Sequence, residues 1–265
     1  GPFIGLVLTV LLLTGYFFGY RYLLLEQQLN IFIIYPALTL FAVYTSVTTS
    51  KYFAESQKKR YIQRAFSQYL SPAVIKELMD NPARLNLGGE ERVLTAMFTD
   101  IEGFSLISER MKPEEIVTML NEYFTVMTEI IFAFNGTVDK YEGDAIMAFF
   151  GAPILNQHHA RETVRAAYYM QKRLEQLRDK WKKENSPLLH MRIGINTGPM
   201  VVGNLGSIQK MDYTVMGDAV NLASRFEPIN KLFGTKIIIG NETKMEVEDE
   251  FLIRELDFTL SLIHI

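Results

Sequence analysis

Two aspartates in the middle part of the sequence, Asp100 and Asp144, are placed where carboxylates commonly bind divalent cations. Asp100 follows the apolar run Val93–Phe98, which predicts a buried strand, and Asp144 lies in the Glu-Gly-Asp turn between two further predicted strands. Carboxylates at the ends of neighbouring strands can share hard cations, which prefer oxygen ligands and substrate phosphates. Either aspartate alone is better explained as an N-cap or turn residue, so the interpretation depends on the residues that accompany them.

Two further groups are suited to phosphate oxygens. Asn221 and Arg225 are four residues apart in a predicted helix and therefore share one face. The planar guanidinium fork of an arginine matches phosphate geometry. Gly103, Phe104 and Ser105 stand at a predicted helix start, where free backbone N–H groups favour anions.

Lys140 lies four residues before Asp144, near the end of a predicted strand, and a predicted turn separates the two. In a straight strand the two side chains would share a face, since residues four apart lie on the same side. The intervening turn reverses the chain, so we expect the lysine and the aspartate to serve different places. A plain surface lysine is the alternative.

Three segments together, Phe98–Ser105, Asp139–Ala148 and Asp212–Arg225, resemble the catalytic signature of the class III nucleotidyl cyclases. The resemblance extends over roughly Gly88 to Asp257 in order, spacing and flanking pattern. It implies an α+β, ferredoxin-like catalytic domain with a mixed sheet and flanking helices. It also implies an enzyme that makes a cyclic nucleotide.

The resemblance assigns a role to each candidate residue. Asp100 and Asp144, with the backbone carbonyl of Ile101, would bind two divalent cations, Mg²⁺ or Mn²⁺. Asn221 would position the ribose, and Arg225 would stabilise charge that develops on the phosphates. Gly103, Phe104 and Ser105 would contact the substrate through their backbone.

Lys140 and Thr214 match the positions that contact the base in this family. Adenylyl cyclases carry Lys with Asp or Thr there, whereas guanylyl cyclases tend to carry Glu and Cys. The resemblance therefore implies conversion of ATP to 3′,5′-cyclic AMP and pyrophosphate by attack of the ribose 3′-oxygen on the α-phosphate. It also implies a homodimer with active sites at the interface. A guanylate cyclase and a catalytically silent nucleotide-binding regulatory domain are the alternatives.

The predicted elements alternate between strands and helices, which is typical of an α+β sandwich. The predicted strands are Val93–Phe98, Thr137–Tyr141, Ala145–Phe150, Met191–Asn196, Asp212–Val215, Lys236–Ile239 and Phe251–Leu256. The main predicted helices are Pro113–Phe134, His158–Lys183 and Ala219–Leu232.

The first 50 residues differ sharply in composition from the rest. Residues 1–20 and 27–50 carry no charge, and each run could supply the roughly 20 apolar residues of a membrane-spanning helix. A pair of buried core helices is the alternative. Basic residues crowd the exit of the second run, so we expect that side to face the cytoplasm of a bacterial-type plasma membrane.

The sequence thus predicts four parts. Residues 1–50 would be two transmembrane helices, 51–87 an amphipathic helical signalling linker, 88–257 the cyclase catalytic domain and 258–265 an atypical, truncated tail. A start within the membrane resembles receptor cyclases with a CHASE-type sensor upstream. With 27 Lys and Arg against 30 Asp and Glu, the net charge does not point to a nucleic-acid partner, and the absence of cysteine excludes disulfides.

Overall fold

The computed structural model describes residues 11, 14–22, 24–25, 34–66, 88–207 and 209–256. The chain divides into two units, residues 1–68 and residues 69–265, and each is described here by itself. The second half of the predicted linker and the predicted tail, 258–265, lie outside the described residues.

The first unit contains a long helix, α1 (Ile34–Phe66), of 33 residues. Apolar side chains in its first half are exposed, among them Leu38, Phe41 and Val43. Over the described residues, one helix is both long and apolar enough to cross a membrane, and it is Pro113–Ala133 of the second unit. The two predicted membrane helices are therefore not established by the described part of the chain.

The second unit is an α+β domain whose elements alternate as the sequence predicts. In chain order they are β1 (Gly88–Ile101), α2 (Phe104–Ser108), α3 (Pro113–Ala133), β2 (Gly136–Glu142), β3 (Ala145–Phe150), α4 (His159–Lys183), β4 (Met191–Gly206), β5 (Met211–Met216), α5 (Asp218–Phe233), β6 (Ile237–Ile239) and α6 (Asn241–Val247).

These strands form one mixed sheet in the order β2-β3-β1-β4-β5. The pairs along this path are antiparallel, whereas β6 pairs with β4 in parallel. The β1–β4 ladder is the longest, running from Gly88 opposite Asn204 to Ile101 opposite Met191. The predicted mixed sheet is therefore confirmed.

Successive side chains of the central strands point to opposite faces of the sheet, and each face has its own core. On one face Met97, Ile146 and Ile193 pack against α3, α4 and α6. On the other face Ala96 and Phe149 pack with side chains of β5 and α5. Helix α3 buries Met119, Tyr123, Met127 and Ile131 in the first of these cores, so it is a core helix of this domain.

The sheet curls so that strands at the two ends of its order approach each other. Tyr213 of β5 lies with its ring centroid 6.0 Å from that of Phe149 in β3, and Thr214 of β5 hydrogen-bonds Asp139 of β2. This curl brings residues 75 positions apart in the chain into one cluster.

The prediction of a strand at Phe251–Leu256 is wrong, because these described residues form no strand. Helix α6 is followed by irregular chain in which Phe251 and Ile253 pack against the core, while Leu252 is fully exposed. The alternation of buried and exposed residues is present, but no strand among the described residues pairs with this segment. A strand needs such a partner for its backbone groups.

One glycine allows α5 to lie directly on the sheet. A Cβ on Gly194 of β4 would overlap the carbonyl oxygen of Ala223 and the amide nitrogen of Glu227, both backbone atoms of α5. Backbone atoms cannot rotate away as a side chain can, so only glycine permits this distance between helix and strand.

We therefore predict that Gly194→Ala lowers the free energy of unfolding by about 3 kcal/mol, as overpacking against rigid neighbours does. Urea denaturation followed by circular dichroism would measure this. The control is Gly89→Ala on the adjacent strand, where a Cβ would first meet Cγ1 of the Val201 side chain, at 2.6 Å. Equal losses in the two variants would show that the helix contact is not the constraint.

Candidate active site

The two predicted metal-binding aspartates are brought together at one end of the sheet. Asp100 is the penultimate residue of β1, and Asp144 lies in the turn between β2 and β3. The backbone N–H of Ile101 donates a hydrogen bond to Oδ2 of Asp144 at 3.1 Å. This bond fixes the turn beside the end of β1, so the two carboxylates, 44 residues apart, form one acidic site.

The electrostatics of this site suit a cation. The pKa of Asp144 is raised above its usual range, first by burial and then by the negative charge of Asp100. A divalent cation between the carboxylates would offset both effects, and carboxylate oxygens are the ligands that Mg²⁺ and Mn²⁺ prefer. Within the described part of the chain, no three acidic or histidine side chains cluster as a ready-made metal site. Any cation held here would therefore need backbone carbonyl, water or substrate oxygens as well.

Arg192 is a residue of this site that the sequence analysis missed. It stands directly opposite Asp100 in the β1–β4 register, and its Nη2 lies 2.8 Å from Asp100 Oδ2. Its Nε lies 2.8 Å from Oε1 of Glu227 on α5. The Arg192 and Glu227 side chains are only 13% and 12% exposed, so this ion pair is largely withdrawn from water. The one signal in the sequence is an arginine within the apolar strand Met-Arg-Ile-Gly-Ile.

Glu227 is an unusual carboxylate because its burial is only partly compensated. Burial and the nearby charge of Asp100 raise its pKa to about 7, while Arg192 acts in the opposite direction. The residue therefore gains a proton within the neutral range, and the charge balance beside Asp100 changes with it.

The predicted base-contacting residues, Lys140 and Thr214, are joined through a third residue, Asp139. The Thr214 hydroxyl donates a hydrogen bond to Oδ2 of Asp139, and Nζ of Lys140 lies 3.6 Å from Oδ1. The Asp139 side chain is 2% exposed, whereas that of Lys140 is 40% exposed. The structure thus places Lys140 and Thr214 in one cluster.

A β-bulge explains how two consecutive residues of β2 join the same cluster. The β2–β3 register shifts between Val138 and Lys140, which pair with Ala148 and Met147 respectively. Asp139 is the extra residue, and a bulge of this kind turns side chains away from the regular alternation. Without it Asp139 and Lys140 would point to opposite faces.

Burial is the main cause that raises the pKa of Asp139 above its usual range. The Thr214 hydrogen bond and the Lys140 charge both act to lower it, and the charge of Asp212 adds a smaller increase. The two favourable partners offset part of the effect of burial on the Asp139 carboxylate.

Asn221 and Arg225 lie one turn apart in α5, as predicted. The helix begins after Gly217, whose φ of 143° is a conformation that other residues rarely adopt. Asn221 is exposed, and Arg225 is half-buried. Both lie on the helix that Glu227 links to Asp100 through Arg192.

The predicted helix start at Gly103 is confirmed. The short helix α2 follows Gly103, whose φ of 66° lies in the left-handed region, and its carbonyl accepts bonds from the N–H groups of Leu106 and Ile107. The Phe104 side chain packs against the core that contains α3 and α4, so only the backbone of Phe104 is available to a phosphate. Ser105 is exposed beside it.

The described contacts therefore form two groups. The first is the acidic site of Asp100 and Asp144 with Arg192 and Glu227. The second is the cluster of Asp139, Lys140 and Thr214. An α+β domain with a carboxylate pair at a strand end, and a lysine–threonine pair on its curled edge strands, is the arrangement that the resemblance to the class III nucleotidyl cyclases predicts.

Comparison with known proteins gives the family. The model of the adenylate and guanylate cyclase catalytic domain matches residues 89–258, and the chain belongs to this family. Adenylate cyclase 1 of Rhizobium meliloti (strain 1021) is 39% identical over 163 residues, which are 62% of this chain. The chain spans only 24% of that relative's length.

Solved structures of a guanylyl cyclase and of an adenylyl cyclase are both similar to this domain. The guanylyl cyclase Cya2 is 38% identical, with a TM-score of 0.56 over 60% of this chain and 80% of that one. The adenylyl cyclase CyaB from P. aeruginosa is 36% identical, with a TM-score of 0.58 over 63% of this chain and 85% of that one. The predicted class III cyclase domain is confirmed, and overall similarity does not distinguish ATP from GTP.

The raised pKa of Glu227 predicts a pH-dependent stability. Since its pKa is about 7 in the folded chain and ordinarily 4.5, the folded state binds the extra proton between these values. The resulting stability is complete below pH 4.5 and is lost as the pH rises through 7. Relative to Glu227→Gln, the unmodified chain should lose about 2 kcal/mol between pH 5 and 7.5.

Urea denaturation at several pH values, in a chelating buffer that keeps cations from the carboxylates, would measure this difference. Glu114→Gln, on an exposed face of α3, is the matched control. A Glu227→Gln difference that stays constant over this pH range would contradict the prediction.

Proposed function

We propose that this chain is the catalytic region of a class III adenylate cyclase that converts ATP to 3′,5′-cyclic AMP and pyrophosphate. The observation that supports the choice of nucleotide is the cluster of Lys140, Thr214 and Asp139. A lysine ammonium can donate to the unprotonated ring N1 of adenine, whereas N1 of guanine carries a hydrogen. The ammonium group would therefore favour ATP over GTP.

In the reaction, the ribose 3′-oxygen forms a bond to the α-phosphorus, and the bond from that phosphorus to the bridging oxygen breaks. Pyrophosphate leaves, and the 3′-hydroxyl proton passes to solvent or to a phosphate oxygen. Asn221 would orient the ribose for in-line attack, and the Arg225 guanidinium would neutralise charge that grows on the phosphates. Positioning and fixed charge of this kind supply most of the catalysis in phosphoryl transfer.

Asp100 and Asp144, with the carbonyl of Ile101, would hold two divalent cations, Mg²⁺ or Mn²⁺. When bound, such ions make a hydroxyl more acidic and stabilise a polyphosphate leaving group. Arg192 keeps one Asp100 oxygen oriented by its 2.8 Å contact, so the carboxylate is positioned before any ligand arrives. The backbone around Gly103 and Ser105 would contact the phosphates.

We propose that two copies of the chain form a symmetric dimer with two equivalent active sites. One copy would supply Asp100 and Asp144 to a site, and its partner would supply the base-contacting cluster, Asn221 and Arg225. A two-fold axis generates the second site from the same residues. The separation of the described contacts into an acidic site and a base-contacting cluster is compatible with this division.

We also propose attachment to a membrane, with the catalytic domain on the cytoplasmic side. The first half of helix α1 carries exposed apolar side chains such as Leu38, Phe41 and Val43, and its second half is rich in Lys and Arg. Exposed apolar groups beside a basic segment suit contact with a membrane surface. Recovery of the chain in the soluble fraction, after lysis without detergent, would count against the attachment.

Turnover of ATP and GTP, measured separately with Mg²⁺ and with Mn²⁺, tests the proposed reaction. We predict cyclic AMP formation from ATP and a lower kcat/KM for GTP. The double variant Lys140→Glu with Thr214→Cys should lower kcat/KM for ATP by about 100-fold, since two base contacts of about 1.4 kcal/mol each are lost. An unchanged ATP preference in this variant would place base recognition elsewhere. If the unmodified chain turned over neither nucleotide, a silent regulatory domain would be favoured.

Mixing two inactive variants tests the shared site. Asp100→Ala and Arg225→Ala remove groups that the dimer supplies from different copies, so each variant should be inactive alone. A mixed dimer retains one intact site and should recover about one quarter of the unmodified rate, because half of the dimers are mixed and each has one of two sites. The control is a mixture of Asp100→Ala with Asp144→Ala, which should stay inactive. Equal inactivity of both mixtures, after mixed dimers are verified, would contradict a site shared between copies.

A further inference from the structure

The cluster of Asp139, Lys140 and Thr214 contains a directional hydrogen bond. Thr214 donates its hydroxyl proton to Oδ2 of Asp139, and Asp139 is almost fully buried. A carboxylate can only accept, so this bond has one possible direction as long as Asp139 is ionised. The Lys140 ammonium, 3.6 Å from the other oxygen, favours that ionised form.

This bond restricts what Thr214 can offer to a ligand. A threonine hydroxyl has one proton and two lone pairs, and it ordinarily rotates to donate or accept as its surroundings require. Here the proton is committed to Asp139, so only the lone pairs remain for another partner. Thr214 therefore becomes an acceptor, next to Lys140, which can only donate.

A fixed donor beside a fixed acceptor distinguishes the two purine bases. Adenine presents an acceptor at N1 and a donor at its exocyclic amino group, whereas guanine presents a donor at N1 and an acceptor at O6. The lysine–threonine pair complements adenine at both positions. Guanine would place a donor against Lys140 and an acceptor against Thr214, and each mismatch sets two groups of the same kind against each other.

We propose that Asp139 is a specificity-determining positioning residue, which makes Thr214 a hydrogen-bond acceptor and so excludes guanine. The inference rests on the proposed adenylate cyclase function and on contact of Lys140 and Thr214 with the base. Asp139 itself is buried beneath the pair and acts through Thr214. The β-bulge at Val138–Lys140 makes this possible, because it turns Asp139 out of the regular alternation. Its Oδ1 then lies 3.6 Å from Nζ of Lys140.

Asp139→Asn is the direct test, because it preserves shape and removes the fixed direction. The amide NH₂ of an asparagine can donate to Thr214 Oγ, which frees the hydroxyl proton to meet O6 of guanine. The ratio of kcat/KM for ATP to that for GTP should fall by about tenfold or more, as expected for one mispaired hydrogen bond. A role in folding alone would lower kcat/KM for both nucleotides equally and leave the ratio unchanged.

A double-mutant cycle separates Thr214 from Lys140. Thr214→Val removes the hydroxyl while it keeps the shape, so in that background Asp139→Asn should no longer change the ratio. If the ratio still falls there by the same factor, the effect passes through Lys140 and the proposal is wrong. Thr214→Ser keeps the hydroxyl and should keep the ATP preference, which gives a matched pair with Thr214→Val should Asp139→Asn fail to fold.

Binding supplies a readout that does not depend on turnover. The 3′-deoxy forms of ATP and GTP lack the attacking hydroxyl, so calorimetry can compare their Kd values without reaction. We expect the same tenfold loss of preference in Asp139→Asn. An unmodified chain that prefers GTP or turns over neither nucleotide would overturn the proposed function. An unmodified chain that prefers ATP, with an unchanged ratio in Asp139→Asn, would overturn this inference alone.

Discussion

The antiparallel register between β1 and β4 is the constraint on which the acidic site and the helix beside it depend. It places Arg192 opposite Asp100 and Gly194 opposite Phe98. The first pair gives Asp100 its cationic partner, and the second places a glycine where α5 needs close contact with the sheet. A slip by one residue would turn every side chain of the strand to the other face, so both features would be lost together.

Arg192 extends this constraint from the sheet to the helix. Its two contacts, with Asp100 and with Glu227, join the end of β1 to the middle of α5. Largely buried ion pairs contribute little net stability over apolar residues, but removal of one partner is costly. The network is thus better suited to fixing the position of α5, and with it Asn221 and Arg225, than to raising stability.

Regular elements and the residues of the cyclase signature could be predicted from the sequence, because both depend on local spacing. Helix α5 was expected at Ala219–Leu232 and runs over Asp218–Phe233. The role of Asp139 could not be predicted, because period-two alternation in β2 assigns Asp139 and Lys140 to opposite faces. A bulge and the curl of the sheet together produce that cluster, and both arise from long-range packing. The strand expected at Phe251–Leu256 had the right alternation, but alternation does not supply a pairing partner.

The β2–β3 hairpin carries one residue of the base-contacting cluster and one residue of the acidic site. Lys140 lies within its first strand, and Asp144 lies at its turn, four residues later. In the proposed dimer these two residues would belong to different active sites. A movement of Lys140 on nucleotide binding would then reach Asp144 of the neighbouring site through four residues of backbone. The two sites of such a dimer would be coupled, with the first nucleotide altering the affinity for the second.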